Sequence, residues 1–154
     1  MPEQTLAGSL MSPRVTSFSP DTELLAAARI LFDNRWGGAP VLVDGEVVSV
    51  LSLADVIAQR RSLHTPQPLI LFDALLYLGS RRFEKELKKV TAMTVGDAMT
   101  SPAVTVTPKT LISDVAAIMI DRGLATLPVL EDGKLVGVIG RRDVVRLILG
   151  DTKD

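Results

Sequence analysis

With 154 residues, 47% of them hydrophobic and 23% charged, the chain has enough apolar material for one globular domain or two small, closely packed ones. Its 17 basic and 18 acidic side chains leave a net charge of −1, so no overall positive field draws in DNA or another polyanion. Cysteine is absent, which excludes disulfides, a thiolate metal site and a thiol nucleophile.

In chain order, residues 1–10 read as an N-terminal tail without the basic-then-apolar order of a secretory signal. A first unit follows over 11–60. Val15 to Phe18 is a short extended piece leading to Pro20, and an amphipathic helix is predicted from about Asp21 to Asn34. Its apolar stripe is Leu24, Leu25, Ala28, Leu31 and Phe32 at three-to-four spacing. Pro40 to Val43 and Glu46 to Leu51 flank Asp44-Gly45, a strong hairpin signal between β-branched runs. A second helix is predicted from Ser52 to Arg60.

The connector, 61–93, holds the single histidine, His64, an apolar segment from Leu69 to Leu78, and a charged run from Arg81 to Val90. That run reads as a helix turning Phe83, Leu87 and Val90 inward, or as a partner surface. Nucleic acid is not expected there, because acidic and basic residues alternate and aromatic interleaving is lacking. The longest apolar stretch, Pro68 to Leu78, is too short to span a bilayer and carries Asp73. A cytoplasmic protein without a membrane partner is the expectation.

The second unit, 94–150, repeats the order of the first, and 151–154 is a C-terminal tail. Ala103 to Val106 is extended, and a helix is predicted over Thr110 to Arg122 with Leu111, Val115, Ile118 and Met119 inward. Asp121-Arg122-Gly123 stops it, a hairpin turns at Asp132-Gly133, and a last helix runs from Arg141 to Leu149. The two units align without a gap at an offset of 88, as Pro40 and Pro128 show. At that offset Met11 meets Met99, Asp33 meets Asp121, Asp44-Gly45 meets Asp132-Gly133, and Asp55-Val56 meets Asp143-Val144. One copy of about 50 residues is marginal alone, so the two copies are expected to share a core. The near-continuous apolar hairpin runs predict sheets covered on both faces. The fold class is α/β, an α+β sandwich of two pseudo-symmetric β-α-β-β-α units.

The second copy closely resembles a CBS (cystathionine-β-synthase) domain from end to end. The features that carry the likeness are Met99-Thr100, Thr107-Pro108, Leu127-Pro128-Val129, the Asp-Gly hairpin, and Gly137-Val138-Ile139 followed by Asp143. The first copy matches in the same register, and the pair covers about 100 of the 154 residues. The resemblance implies a Bateman-type regulatory module with clefts for adenosine-type ligands: AMP, ADP, ATP or S-adenosylmethionine. It implies no required cofactor and no catalytic residue. It also implies a Gly–apolar–Ser/Thr-x-x-Asp motif whose Asp meets ribose and whose hydroxyl and backbone N–H groups meet phosphate.

Carried over, the motif is partial in both copies. The first has Ser52 and Asp55, with Ser49 at the Gly position; the second has Gly137 and Asp143, with Gly140 at the hydroxyl position beside Arg141 and Arg142. The adenine places implied are Gly38, Ala39 and Pro40 with Val15, and Thr126, Leu127 and Pro128 with Thr100 and Ala103. Both clefts are expected to bind, with different ligands or affinities. Each residue also has a plainer reading. Ser52-x-x-Asp55 has the form of a capping box, Asp143 that of an acidic first-turn residue, Arg141-Arg142 that of a solvated face, and Trp36 that of a core-edge cover.

The function expected is a non-catalytic sensor, homodimeric through small-residue faces (Ala26, Ala27, Arg29 and Ile30 with Ala116, Ala117 and Ile120), read by an unidentified effector protein. The alternative is an interaction protein with degenerate clefts. An enzyme acting on nucleotides is disfavoured, since no P-loop, carboxylate pair at metal-ligand spacing or nucleophile–base arrangement occurs. With a lone His and no Cys, no metal is expected.

Overall fold

The computed structural model describes residues 4–13, 15–59 and 93–151. The connector readings, including His64, the Leu69 to Leu78 segment and the charged run, lie outside the described residues. The elements are α1 (Ala7–Leu10), α2 (Leu24–Asp33), β1 (Gly38–Val43), β2 (Glu46–Ser52) and α3 (Leu53–Ala58). Then come α4 (Val95–Ala98), α5 (Ile112–Arg122), β3 (Thr126–Glu131), β4 (Lys134–Gly140) and α6 (Arg141–Leu149). The 88-residue offset relates every one of them, and the burial patterns of β1 and β3, and of β2 and β4, are identical. None of the described helices is long and apolar enough to cross a membrane.

Each hairpin closes on a two-residue turn, with Val43 opposite Glu46 and Glu131 opposite Lys134. Asp44 and Gly45 have φ of 50° and 81°, and Asp132 and Gly133 have 50° and 77°. Both central residues at positive φ match the twist of the strands, which is why Asp-Gly stands at both turns. The opening strand is shorter than expected: only Phe18 and Val106 make parallel bridges, to Val41 and Val129. Phe18 N–H donates to Pro40 O, and Val106 N–H to Pro128 O, both at 3.0 Å. The next rung would need an N–H on residue 40 or 128, and proline has none.

The long helices begin later than the periodicity suggests, at Leu24 and Ile112 rather than Asp21 and Thr110. The Thr22 and Thr110 hydroxyls accept from Ser19 and Thr107 N–H, holding a turn ahead of each helix. At the other end α5 stops on Gly123 at φ 64°, with Leu124 N–H returning to Met119 O at 2.9 Å. That pattern is the left-handed helix stop for which glycine is preferred. Helix α2 stops the same way, with Trp36 N–H on Leu31 O at 2.9 Å, but the left-handed residue is Arg35 at φ 58°. A side chain in that conformation costs about 1–2 kcal/mol.

The inward faces also correct two stripes. Leu24, Ala27 and Leu31 are buried, whereas Leu25 and Phe32 are exposed; in α5 Ile112, Val115 and Met119 are inward and Leu111 is not. Ala27, expected on an association face, is fully buried, because it lies three after Leu24 and four before Leu31 on the inward stripe.

The copies do not share one core. One cluster gathers Phe18, Leu31, Val41 and Leu51 with Val95 and Ala98; the other gathers Met119, Leu127, Val129 and Ile139 with Ala7. Each cluster is completed by a helical turn from the far side of the chain. Ala7 N–H donates to Thr110 O and Gly8 N–H to Pro108 O, both at 2.8 Å. Val95 N–H donates to Thr22 O at 2.8 Å and Gly96 N–H to Pro20 O at 2.9 Å, the same bonds in reverse. Residues 7–10, read as part of a tail, are thus an ordered turn of the second unit. Ser12 pairs with Val138 and Thr100 with Val50 in the same exchange. Each such hydrogen bond contributes about 0.5–1.5 kcal/mol net, and the exchange locks the two units together. The hairpins themselves meet near the pseudo-two-fold, where a Cβ on Gly38 would stand 3.4 Å from Thr126 Oγ1.

Candidate ligand cleft

A cleft of about 700 Å³ opens between the units. The first unit supplies the end of α2 and the entry to β1, from Asn34 to Pro40; the second supplies Ala125, Thr126, Val138 and the β4–α6 junction, Gly140 to Asp143. The reason these stretches converge is the close packing at the pseudo-two-fold. A Cβ on Gly38 would lie 2.8 Å from Leu51 O, so only glycine lets β1 pass so near β2 at the cleft wall. Arg141 N–H donates to Ala125 O at 3.0 Å, tying the start of α6 to the cleft floor, and Leu53 N–H to Gly37 O at 3.0 Å is its counterpart.

Of the expected site residues, Gly38, Ala39, Pro40, Thr126, Gly140, Arg141, Arg142 and Asp143 line this one cleft. They come from both copies, so the cleft pairs the β1 entry of one unit with the α6 start of the other. Asp55, Ser52, Thr100, Leu127 and Pro128 are not among its lining residues; they hold the positions related to Asp143, Gly140, Ser12, Ala39 and Pro40 by the 88-residue offset. Val15 and Ala103 are half-buried and outside the lining. The Leu127 and Pro128 side chains are fully buried, leaving backbone as what that strand offers a ligand.

Both aspartates accept from the backbone N–H of the residue just before their helix. Asp143 Oδ2 accepts from Gly140 N–H at 2.8 Å. Asp55 Oδ2 accepts from Ser52 N–H at 2.9 Å, Asp55 N–H donates to Ser52 Oγ at 3.0 Å, and Thr100 Oγ1 donates to Asp55 Oδ1 at 2.8 Å. The capping-box reading of Ser52 and Asp55 is therefore what the side chains do here. Ser49, at the motif's Gly position, is buried and donates its hydroxyl to Thr100 O. At the matching Gly137 a Cβ would lie 2.7 Å from Met11 Sδ and 2.9 Å from Ser12 O. Glycine in one copy and serine in the other each suit the neighbour they face.

Sequence reasoning missed Ser12, Thr16, Phe32, Asn34, Arg35 and Arg146 as cleft residues. The signal was present for two: Arg35 faces Gly123 in the register, and Arg146 stands four after Arg142 on the same helix face. Trp36 both lines the cleft and packs on the first core, so its two readings coincide. The lining carries four guanidinium groups, Arg35, Arg141, Arg142 and Arg146, against one carboxylate, Asp143. Arg141 is positioned by its Nε, which donates to Leu124 O at 3.3 Å. A nine-residue helix beginning at Arg141 turns its positive dipole end toward the same space. The arrangement can hold an anion next to a polar group that accepts from hydroxyls.

The CBS domain family profile matches the chain twice, over residues 7–61 and 95–150. An uncharacterized protein of Methanocaldococcus jannaschii, MJ1426, is 30% identical over 139 residues, 84% of this chain and 83% of that protein. The chloroplastic CBS domain-containing protein CBSX1 of Arabidopsis thaliana is 33% identical over 84% of this chain, which spans 57% of its length. Among solved structures, Arabidopsis CBSX2 in complex with AMP superposes with a TM-score of 0.68 at 28% identity, covering 95% of this chain and 97% of that one. Two matched repeats, the shared register and this likeness across nearly the whole length lead to one assignment: the chain belongs to the CBS domain family and carries two copies of the domain.

Proposed function

We propose that the cleft binds an adenosine-containing ligand of the AMP, ADP, ATP or S-adenosylmethionine class, and that the bound state is read by an effector protein. The observation that carries this reading is the placement of Asp143 at the start of α6 inside a cleft lined by both units, beside a basic wall. The carboxylate suits ribose hydroxyls, the guanidinium groups and helix end suit phosphate, and Trp36, Ala39, Pro40 and Val138 offer apolar surface to a flat ring. CBSX2, which holds AMP in its crystal structure, is similar over 95% of the chain. Because the ligand touches both units, its binding favours one relative arrangement of them, and that differential affinity is the signal. Homodimerisation through the exposed helices fits the same reading: Ile120, Ile148 and Leu149 are 79%, 71% and 68% exposed. The role is regulatory and non-catalytic, in keeping with CBS pairs in general.

The test is calorimetric titration and thermal melting with AMP, ADP, ATP and S-adenosylmethionine, with sedimentation run on the free and ligand-saturated protein. At least one ligand is expected to bind and to stabilise by about 2.7 kcal/mol when present at a hundred times its Kd. Asp143→Ala should weaken that ligand about 10- to 100-fold, as expected for a lost hydrogen bond to a charged group. No heat and no melting shift with any of the four would sink the proposal. That outcome favours the second reading, an interaction protein with degenerate clefts, for which the Thr100 and Ser52 contacts to both Asp55 oxygens already speak.

A further inference from the structure

The register that makes the two copies equivalent also isolates what differs at the cleft. Arg35, Arg141, Arg142 and Arg146 correspond to Gly123, Leu53, Ala54 and Ala58, so the related positions of the other half carry no cation at all. Four cations on one cleft, against the single carboxylate of Asp143, leave an excess of positive charge that a bound anion relieves. Among the described residues the ion pair formed is Arg29–Asp33, and none engages these four guanidinium groups.

Arg35 is the least expected of them. It holds the left-handed position at the end of α2, φ 58°, where the second copy has Gly123 at 64°. A Cβ on Gly123 would meet nothing within 4 Å, so packing does not dictate which residue stands at this stop; backbone conformation alone favours glycine. Arg35 is exposed, and no hydrogen bond or ion pair among the described residues engages its guanidinium. It keeps an unfavourable backbone state without a structural duty, and what sets it apart is its place on the cleft wall. It is also the lone cation of the four that comes from the first unit.

Resting on the ligand reading above, we infer that this cleft selects an adenosine ligand bearing two or more phosphates, and that Arg35 is the residue that sets this preference. Each added phosphate brings negative charge to a wall of guanidinium groups whose planar forks match phosphate oxygens. A phosphate chain met by Arg35 from one side and Arg141, Arg142 and Arg146 from the other ties the two units across their junction. The sulfonium cation of S-adenosylmethionine meets the same wall with the wrong sign.

The test compares ATP and AMP by calorimetry on the full chain, wild type and Arg35→Gly, with melting temperatures of both free proteins. Wild type should bind ATP at least about 10-fold tighter than AMP, the scale of one charge-assisted hydrogen bond. Arg35→Gly should lower the ATP-to-AMP affinity ratio about 10-fold, and its melting temperature should not fall, since glycine suits φ 58°. Tighter ATP binding in wild type, lost in a variant that is no less stable, supports the assignment. Equal binding of ATP and AMP by wild type, or an unchanged ratio in Arg35→Gly, overturns Arg35's role and leaves the ligand reading standing. No binding of either nucleotide overturns both.

Discussion

The two halves of this molecule are the same fold solved twice, and the comparison separates what the fold needs from what the cleft needs. Positions that make backbone bonds keep their chemistry across the 88-residue offset: Pro40 and Pro128, Gly8 and Gly96, Thr22 and Thr110, the Asp-Gly turns. Core positions keep apolar character but trade volume. The first copy has Ala27 and Ala39 where the second has Val115 and Leu127, and it places Phe18 and Trp36 where the second has Val106 and Leu124. Cleft positions divide: Pro40 and Asp143 match Pro128 and Asp55, whereas the arginines have no basic counterpart. At the α6 start and its counterpart, Arg141-Arg142 stands against Leu53-Ala54, so charge has been concentrated on one side of the pseudo-two-fold. A packed interior constrains total volume, a ladder constrains backbone geometry, and an open cleft is constrained by its ligand.

Four substitutions press on that comparison. The largest effect is expected from Leu127→Ala, which copies the first unit's Ala39 into the second core without the larger rings that accompany it. Leu127 is fully buried, so the change should cost about 2–5 kcal/mol in denaturant unfolding; a loss below 1 kcal/mol would mean the volumes of the two cores are not separately balanced. Gly137→Ser copies Ser49 into the other unit, where the new Cβ meets Met11 Sδ and Ser12 O. It should destabilise by about 1–3 kcal/mol, and pairing it with Met11→Ala should recover part of the loss. If the serine is tolerated at no cost, the exchanged N-terminal segment is not held as tightly as its bonds to Val138 imply. The smallest effect belongs to the caps. Ser52→Ala removes the bond to Asp55 N–H and should cost about 1 kcal/mol, while Gly140→Ser should gain a few tenths.

Much of the fold was legible in the sequence. The repeat register, the hairpins and their turns, and the order of elements follow from local chemistry, because Asp-Gly turns and helix stripes declare themselves within a few residues. The exchange of α1 and α4 was not legible. Four-residue helical turns have too short a stripe to read, and their partners lie far along the chain: Thr110 for Ala7 and Thr22 for Val95. The later helix starts went unread because the ordered turns at Ser19–Thr22 and Thr107–Thr110 take residues that the periodicity had counted as helical.

The site was legible in part. Residues 140–143 and 38–40 followed from family likeness and motif, whereas the meeting of Arg35 with Arg146 in one cleft did not, since no local pattern connects the end of α2 with a helix of the other copy. By itself the sequence determined a duplicated β-α-β-β-α unit, its membership of the CBS family and the positions of its turns, all features encoded by neighbours along the chain. Only the tertiary structure decided that the cores are two, that each is completed by the opposite end of the repeat, and that four arginines from two units face one cleft. Those are facts of packing across a pseudo-two-fold axis, and no window of sequence contains both sides of it.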